Sequence, residues 1–296
     1  MEDKGKVRKT SGIVFDQYYT KGDIAVSCCR KLLDIFGNDY FNGKTFLEPS
    51  AGTGAFVAAC RSVFGDASEI EYYDIEPKLN GTIHADFLKT EIGRHGFVTI
   101  GNPPFGNRSS LAIAFFNKAS EISDVVAFIV PVQFEKFGVQ KKLDKDFALV
   151  FSEKLPANSF ENNGREYSVR CVFQIWTRTP GEMEDMRLKK APATSHPDFE
   201  MFLYNNTPEA YKYFDKKKYG WDFAVPRQGY YDYSLRITDE KDLSRKVQYM
   251  FFKAEREDVL RKLSSMDFAA LSMKNTTTPG FGKADVVREY IAAGSK

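Results

Sequence analysis

Hydrophobic side chains recur at helical and strand-like intervals in turn along the first part of the chain. Apolar residues are spaced four apart from Ile24 to Phe36, which is typical of one face of a helix. They follow Thr20-Lys21-Gly22-Asp23, whose threonine and aspartate match a capping box. We therefore predict a helix that begins at this box and ends before Gly37.

Strands and helices are predicted to alternate after this first helix. The predicted strands are Lys44–Glu48, Ile70–Asp74, Phe97–Gly101 and Val125–Val130, and the predicted helices are Ala55–Phe64 and Ser110–Glu121. Strands that alternate with helices form a parallel sheet covered on both faces, so the pattern predicts an α/β fold.

Two later strand-like runs, Phe147–Leu155 and Val169–Trp176, have only a polar segment between them. A parallel pair of strands needs a long crossover connection, usually a helix. Since none is predicted between these two runs, they are expected to pair as an antiparallel ribbon at the edge of the sheet.

The composition changes around Thr179-Pro180-Gly181, and the proline-containing segment Pro192–Pro197 follows. Segments of this kind are typical of linkers. We predict a first domain over residues 1–179 and a smaller accessory α+β unit over residues 180–296. In the second unit, a strand over Val247–Ala254 is predicted to lead into a helix over Glu255–Met266.

Composition narrows the class of protein. With 296 residues, 43% of them hydrophobic, the chain can form one domain of ordinary size and a smaller second unit. No apolar run is long enough to span a membrane, and Met1-Glu2-Asp3-Lys4 is charged where a signal peptide begins its apolar stretch. We therefore expect a cytoplasmic protein without membrane contact. The 4 cysteines and 3 histidines lack metal-site spacing, so buried thiols and no metal are expected.

A glycine-containing turn lies between a predicted strand and a predicted helix, in the sequence Glu48-Pro49-Ser50-Ala51-Gly52-Thr53-Gly54. Glycines allow a ligand to approach the backbone, and a helix start offers unpaired N–H groups. Asp74 ends the next strand, 22 residues after Gly52. A carboxylate about 20 residues past the glycines binds ribose hydroxyls in nucleotide-binding folds. Glu76 is an alternative to Asp74 for that role.

A second motif, Asn102-Pro103-Pro104-Phe105, directly follows the predicted strand Phe97–Gly101. Open α/β folds bind their ligands at this carboxyl edge of the sheet. The prolines stiffen the loop, so the Asn102 side-chain amide and a backbone carbonyl can face one point. Two rigid acceptors suit a target NH2 group, because accepting both hydrogens directs its lone pair towards an electrophile without a strong base. Phe105 offers a face for a planar base or amide.

With these motifs the chain resembles the amino-methyltransferases, the class I methyltransferases of adenine N6, cytosine N4 and glutamine N5. Asn102–Phe105 is similar to their catalytic tetrapeptide, and Leu47–Phe56 to the cofactor motif of adenine-N6 DNA methyltransferases. Gln17–Thr20 resembles the first family motif, beside the methionine end of the cofactor, and Asp86-Phe87 resembles the pair at the cofactor's adenine. The resemblance extends from about Gln17 to Trp176.

The resemblance implies a Rossmann-like methyltransferase fold with a mostly parallel seven-stranded sheet, and S-adenosylmethionine as the cofactor. It implies that Asp74 binds the ribose, that Asp86 binds adenine N6 and that Phe87 stacks on adenine. Asn102 and the Pro103 carbonyl would bind the target amine, with Asn102, Pro103, Pro104 and Phe105 as the catalytic residues. The cofactor-binding residues would be Tyr19, Thr20, Glu48, Ser50, Gly52, Gly54, Asp74, Ile75, Asp86, Phe87 and Asn102.

Two loops are candidates for contact with the target. Pro156–Ser168 occupies the region that lines the target pocket in the family, and its Phe160 could sandwich a flipped base against Phe105. The alternative is that Phe160 anchors the loop on the core. Gly106–Ser110, with Arg108, is either a flap over the site or a plain exposed loop.

The net charge of +2 means that contact with nucleic acid would have to be local. One candidate is Tyr211–Trp221, where Lys212, Lys216, Lys217 and Lys218 alternate with aromatics. The other comprises Arg227, Tyr230, Tyr231, Tyr233 and Arg236. For each, the alternative is an ordinary solvated face over a small core.

The first hypothesis is an adenine-N6 methyltransferase that acts on DNA. The alternatives are the same chemistry on RNA, methylation of a protein glutamine, and a non-catalytic subunit that keeps the fold. A protein partner for the second unit also stays open.

Overall fold

The computed structural model describes residues 8–10, 13–15, 18–65, 69–274 and 278–294. The chain divides into two compact units; the first ends at Lys189 and the second begins at Lys190. The strands of the first unit are β1 (Arg8–Thr10), β2 (Ile13–Phe15), β3 (Tyr19–Thr20), β4 (Phe46–Glu48), β5 (Ile70–Asp74), β6 (Ile83–His84), β7 (Phe97–Gly101), β8 (Ser123–Pro131), β9 (Ala148–Lys154), β10 (Phe160–Asn162), β11 (Arg165–Tyr167) and β12 (Cys171–Thr177). Its helices are α1 (Gly22–Phe36), α2 (Ala55–Phe64), α3 (Ser110–Ser120) and α4 (Phe137–Gln140).

A seven-stranded sheet forms the centre of the first unit, in the order β6-β5-β4-β7-β8-β12-β9. Strands β6, β5, β4, β7 and β8 are mutually parallel, and β12 runs antiparallel to both of its neighbours. All five residues of β7 are buried, as expected for an apolar strand inside a parallel sheet. The predicted mostly parallel sheet with an antiparallel edge ribbon is therefore confirmed.

The start of α1 differs from the prediction. The helix begins at Gly22 after Lys21, and no side chain caps it. Thr20 instead pairs with Phe160 in a β ladder, and its buried hydroxyl has no hydrogen-bond partner among the described residues. The predicted capping box does not form, because strand pairing directs the Thr20 side chain elsewhere.

The polar segment after β9 forms a hairpin rather than a loop. Its strands β10 and β11 are joined by Asn163 and Gly164, both at positive φ (51° and 73°), as in a tight two-residue hairpin turn. The hairpin adds β3 to form a small sheet in the order β11-β10-β3. The Lys21 amide donates to the Ser159 carbonyl at 3.1 Å, which fixes the start of α1 to this hairpin.

The first unit continues ten residues beyond the predicted boundary between residues 179 and 180. The Arg187 guanidinium donates to four backbone carbonyls of the first unit, those of Gln140, Leu143, Asp144 and Phe147, at 2.5–2.9 Å. Asp185 accepts from the Leu149 amide at 3.1 Å. Residues 180–189 therefore pack as part of the first unit.

The second unit is built on a three-stranded antiparallel sheet. Its strands are β13 (Phe199–Tyr204), β14 (Phe223–Gln228) and β15 (Gln248–Ala254), in the order β13-β15-β14, and its helices are α5 (Lys216–Tyr219), α6 (Glu257–Ser264), α7 (Phe268–Ser272) and α8 (Lys283–Ala292). Met250 and Phe252 of β15 pack against α6, α7 and α8, whereas Tyr249 and Phe251 pack against a second cluster that contains Trp221. The predicted strand and helix pair at 247–266 is thus confirmed.

The four cysteines are buried and free, as predicted. Burial raises the pKa of the Cys28 and Cys171 thiols well above the ordinary value. Buried neutral thiols behave as small apolar groups. Within the described ranges, no helix combines the length and the apolar character needed to span a bilayer.

Candidate active site

A cavity of about 220 Å³ lies at the carboxyl ends of β4, β5 and β7. The carboxyl ends of neighbouring parallel strands meet at one edge of the sheet, where open α/β folds place their ligand sites. The cavity is lined by segments 18–20, 48–53, 74–76, 85–88 and 102–105. The structure therefore brings together the residues around both motifs of the sequence.

The glycine turn after β4 depends on two positions with positive φ. Gly52 and Gly54 have φ angles of 52° and 89°. A Cβ atom on Gly52 would lie 3.0 Å from the Tyr19 ring, and one on Gly54 would lie 2.6 Å from the Leu79 side chain. Side chains at these positions would strain the backbone and fill the space between the turn and its neighbours.

Asp74, at the end of β5, is held by backbone amides on both carboxylate oxygens. The Gly52 amide donates to Oδ2 at 2.7 Å, and the Glu76 amide donates to Oδ1 at 2.8 Å. A carboxylate accepts about four hydrogen bonds, so Asp74 keeps acceptor capacity at the cavity. Glu76 also lines the cavity, but it is exposed.

Glu48 is the most buried acid of the cavity, with 2% of its surface exposed. Burial raises the pKa of its carboxyl well above the usual range, and the neighbouring Cys29 and Asp74 raise it further, while the Asn102 amide lowers it. Its Oε2 has no partner in the part of the chain that the structure describes. A Cβ on Gly101 would collide with Oε1, so only glycine leaves room for this carboxyl.

The Asn102 side chain is fixed in one orientation. Its Nδ2 donates to the Tyr18 carbonyl at 3.0 Å, which identifies the nitrogen end of the amide, because a carbonyl can only accept. The other end, Oδ1, is buried and lacks a partner among the described residues. Ser50 Oγ donates to the Asn102 backbone carbonyl at 3.2 Å. The loop thus presents an unfilled acceptor beside the cavity.

The rest of the tetrapeptide is fixed to the start of α3. The Phe105 carbonyl accepts from the Leu111 and Ala112 amides at 3.2 and 3.3 Å. Pro103, Pro104 and Phe105 all line the cavity, and the Phe105 ring is 9% exposed. All four predicted catalytic residues therefore lie at one wall of the cavity.

The cavity lining also contains Asp86 and Phe87. Asp86 Oδ1 accepts from the Leu88 amide at 3.1 Å, and Oδ2 lies 3.0 Å from the exposed Lys89 ammonium. The Phe87 ring packs against Phe115 with centroids 5.6 Å apart, and little of it is exposed. Ile75, which also lines the cavity, is 43% exposed and presents more accessible apolar surface than Phe87.

Three predicted site residues lie outside the cavity lining. Phe160 is fully buried, with its ring edge-on to Tyr18 at 6.4 Å, because the hairpin pairs with β3 and turns this side chain inward. A base-stacking role would need an exposed ring face, so the burial favours the anchoring alternative, and the role of Phe160 stays a prediction. Arg108 is exposed in a turn at positive φ (52°), and its role as part of a flap stays a prediction. Gly54 follows the lining residues of the turn, and Gln17 lies outside the described residues.

Sequence reasoning missed several lining residues, of which Lys78 is the most informative. Its Nζ donates to the Tyr19 hydroxyl and lies 4.5 Å from the centroid of the Tyr19 ring. A single lysine after a proline carries no pattern that distinguishes it from an ordinary surface residue. The contact depends on β3 and the segment after β5 meeting across the cavity.

In the second unit, Lys212, Lys217 and Lys218 form what we call the lysine face. All three are exposed, and none has a carboxylate partner among the residues described. Lys216 differs, because its Nζ donates to the Thr238 and Asp222 carbonyls at 2.7 and 3.3 Å. The lysine face therefore keeps three cations that solvent or a ligand can reach.

The second candidate cluster of that unit is largely structural. Arg236 donates to the Ser264 and Met266 carbonyls at 2.9 and 2.7 Å, and Arg227 donates to Gln248 at 3.1 Å. Tyr233 is buried, whereas Tyr230 is 85% exposed. Both arginines that were predicted as nucleic-acid contacts therefore donate within the second unit, Arg236 to backbone carbonyls and Arg227 to the Gln248 side chain and the Phe281 carbonyl.

No protein-family model matches the sequence, and no curated protein matches it significantly. Solved structures are similar to it at low sequence identity. The type IIL restriction-modification enzyme MmeI, solved in complex with DNA, is 10% identical with a TM-score of 0.50, over 90% of this chain and 65% of that chain. A protein from Listeria monocytogenes described as a class I S-adenosylmethionine-dependent methyltransferase is 14% identical with a TM-score of 0.44, over 58% and 64%.

A protein from Pyrococcus horikoshii described as an RNA methyltransferase is 18% identical with a TM-score of 0.43, over 55% of this chain and 87% of that chain. The chain spans slightly less than two thirds of the first two structures. Sequence identities this low show similarity of the fold alone. The order and directions of the seven strands, together with the similarity to MmeI, confirm the predicted Rossmann-like fold class.

Proposed function

We propose that this chain transfers a methyl group from S-adenosylmethionine to the exocyclic N6 amino group of adenine in DNA. The observation that carries the proposal is the orientation of Asn102, whose Nδ2 is held by the Tyr18 carbonyl while Oδ1 is buried without a partner among the described residues. A buried unfilled acceptor costs about 1–3 kcal/mol, so it calls for a functional donor. An amino group with two hydrogens is such a donor.

The residues of the cavity suit the cofactor. Asp74 offers acceptors for ribose hydroxyls, and Asp86 offers one for an adenine amino group. Ile75 supplies apolar surface for a planar ring. Glu48, whose raised pKa favours the neutral carboxyl, can both donate and accept a hydrogen bond at its unpaired Oε2.

The chemistry follows from the two acceptors of the tetrapeptide. When bound, S-adenosylmethionine supplies an electrophilic methyl group on a sulfonium. Asn102 Oδ1 and the Pro103 carbonyl accept the two hydrogens of the target amine, which directs its lone pair at the methyl group. Phe105 holds the plane of the base. Amide oxygens are acceptors and not strong bases, so the proton that the product amine loses passes to water.

DNA is favoured as the substrate by two features. Leu47–Phe56 resembles the cofactor motif of adenine-N6 DNA methyltransferases, and MmeI, which is similar over 90% of this chain, was solved with DNA. We assign substrate recognition to the second unit, with the lysine face as its contact to phosphates. The same chemistry on RNA, or on a protein glutamine, is an outcome of the experiment that follows.

The test is the transfer of a labelled methyl group from S-adenosylmethionine to DNA, RNA and a cell protein extract in parallel. We expect label in DNA only, recovered as N6-methyladenine after digestion to nucleosides. A guanine–cytosine duplex of the same length, without adenine, is the matched control and should stay unlabelled. Label in that control, or in RNA or protein alone, would overturn the assignment to adenine in DNA.

The lysine face yields a second prediction. Reversing two of its charges, with Lys217→Glu and Lys218→Glu together, should weaken DNA binding about tenfold or more at low salt. It should also reduce the slope of log affinity against log salt by about 2, because each phosphate contact contributes about 0.9. Fluorescence anisotropy at several salt concentrations measures both.

The matched control reverses the same number of charges elsewhere in the second unit, at Lys253 and Arg261. These side chains pair with Glu200 and Glu257. If both double variants weaken binding equally, the effect is one of total charge, and the lysine face makes no specific contact.

A further inference from the structure

Acidic side chains outnumber cationic ones in the described lining of the cavity. Glu48, Asp74, Glu76 and Asp86 all contribute to it, and among the described lining residues Lys78 alone has a cationic side chain. S-adenosylmethionine carries a carboxylate on its amino-acid portion in addition to an ammonium and a sulfonium. Near the side chains of Asp74, Glu76 and Asp86, that carboxylate is repelled unless it lies beside a cation.

Lys78 is held at a defined place in the cavity. Its ammonium donates to the Tyr19 hydroxyl and lies 4.5 Å from the centroid of the Tyr19 ring. The same ring lies against Gly52, where a Cβ atom would approach it to 3.0 Å. The ammonium therefore lies beside the ring that covers the glycine turn.

The Lys78 ammonium keeps capacity for a ligand. An ammonium has three N–H donors, and the bond to Tyr19 uses one of them. Lys78 has no carboxylate partner among the described residues, although it lies in a cavity with four acids.

We propose that Lys78 binds the carboxylate of the cofactor's amino-acid portion, with the Tyr19 hydroxyl as the group that orients its ammonium. The proposal rests on the proposed function, since it takes S-adenosylmethionine as the occupant of the cavity. It assigns a specificity role to a residue outside both sequence motifs. Lys78 makes the site prefer nucleosides that carry an amino acid over nucleosides that do not.

The test compares two ligands by titration calorimetry on the full chain. S-adenosylhomocysteine carries the carboxylate, whereas 5′-methylthioadenosine has the same nucleoside and sulfur without the amino acid. Lys78→Met keeps most of the aliphatic chain and removes the charge. It should lower the affinity for S-adenosylhomocysteine about tenfold, as expected for loss of a charge-assisted hydrogen bond. The affinity for methylthioadenosine should stay unchanged.

Two further variants sharpen the test. Lys78→Arg should restore most of the affinity for S-adenosylhomocysteine, because it restores the charge. Tyr19→Phe keeps the ring against Gly52 and removes the hydroxyl. It should therefore cause a smaller loss of affinity than Lys78→Met, again for S-adenosylhomocysteine alone. Lys78→Gln replaces Lys78→Met if the latter fails to fold, and thermal melting monitors folding of every variant.

The outcomes separate this inference from the proposed function. If Lys78→Met leaves S-adenosylhomocysteine affinity unchanged, or weakens both ligands equally, the assignment of Lys78 is overturned while the cofactor site stands. If the unaltered chain binds neither ligand, the proposed cofactor itself is wrong.

Discussion

Replacing Asn102 by alanine is expected to slow methyl transfer by at least about 100-fold, the scale seen when one preorganised polar group is removed from an active site. The variant loses the acceptor at Oδ1 and leaves the Tyr18 carbonyl without its donor. Asn102→Asp should slow methyl transfer as well, because a carboxylate cannot donate a hydrogen bond to the Tyr18 carbonyl. The amide, and not merely an oxygen at this position, is therefore required.

Single-turnover transfer with labelled cofactor measures the rate, and calorimetry with S-adenosylhomocysteine measures whether the cavity stays intact. The matched control is Asn42→Ala, since Asn42 is exposed before the first residue of β4, at the opposite edge of the sheet. Asn42→Ala should transfer at the unaltered rate. A rate for Asn102→Ala within a few fold of the unaltered chain would remove Asn102 from the chemistry.

Phe160→Ala is expected to lower the free energy of unfolding of the first unit by about 3–5 kcal/mol, as for other large buried side chains. The ring is fully buried and packs edge-on against Tyr18 between the hairpin and β3. Phe160→Leu, which keeps most of the volume, should cost less than about 1.5 kcal/mol. Urea unfolding of each variant measures the difference.

This result distinguishes an anchor from a base-stacking residue. Phe151→Ala is the matched control, because Phe151 is only half-buried on the edge strand β9 and should cost less than half as much. If Phe160→Ala abolished transfer while the unfolding free energy stayed unchanged, the ring would act on the substrate and the anchoring role would be wrong.

Much of the first unit could be predicted because its determinants are local. The helix Ala55–Phe64 and the strands Ile70–Asp74 and Phe97–Gly101 have the bounds expected from periodicity alone. The convergence of Glu48, Asp74 and Asn102 follows from the parallel order, because each closely follows or ends a strand. One rule of sheet geometry therefore locates most of the candidate site.

The capping box that does not form, the choice that the sequence leaves open at Phe160 and the missed contact of Lys78 all depend on contacts between distant segments. Lys21 and Glu166 form an ion pair across 145 positions of the sequence. Beside it, the pairing of β10 with β3 buries Phe160 and places Thr20 in a strand, so Thr20 does not cap α1. Lys78 contacts Tyr19 across 59 positions. No local pattern encodes such pairings, since they follow from which strand ends come to lie together.

The same limit explains the second unit. Lysines and arginines near aromatic residues look alike in sequence, yet Arg236 donates to backbone carbonyls whereas Lys217 is exposed to solvent. The difference lies in whether unpaired carbonyls are within reach of the cation. That can be read only after the chain has folded.

The bonds of Arg187 also bear on how such a protein can exchange parts during evolution. A recombination that replaced everything after residue 179 would remove the Arg187 guanidinium, which donates hydrogen bonds to four carbonyls within residues 140–147. A crossover after Lys189 leaves those bonds intact. The hydrogen bonds of the first unit therefore determine the position at which one accessory unit can replace another. The change in composition at Pro180 does not mark that position.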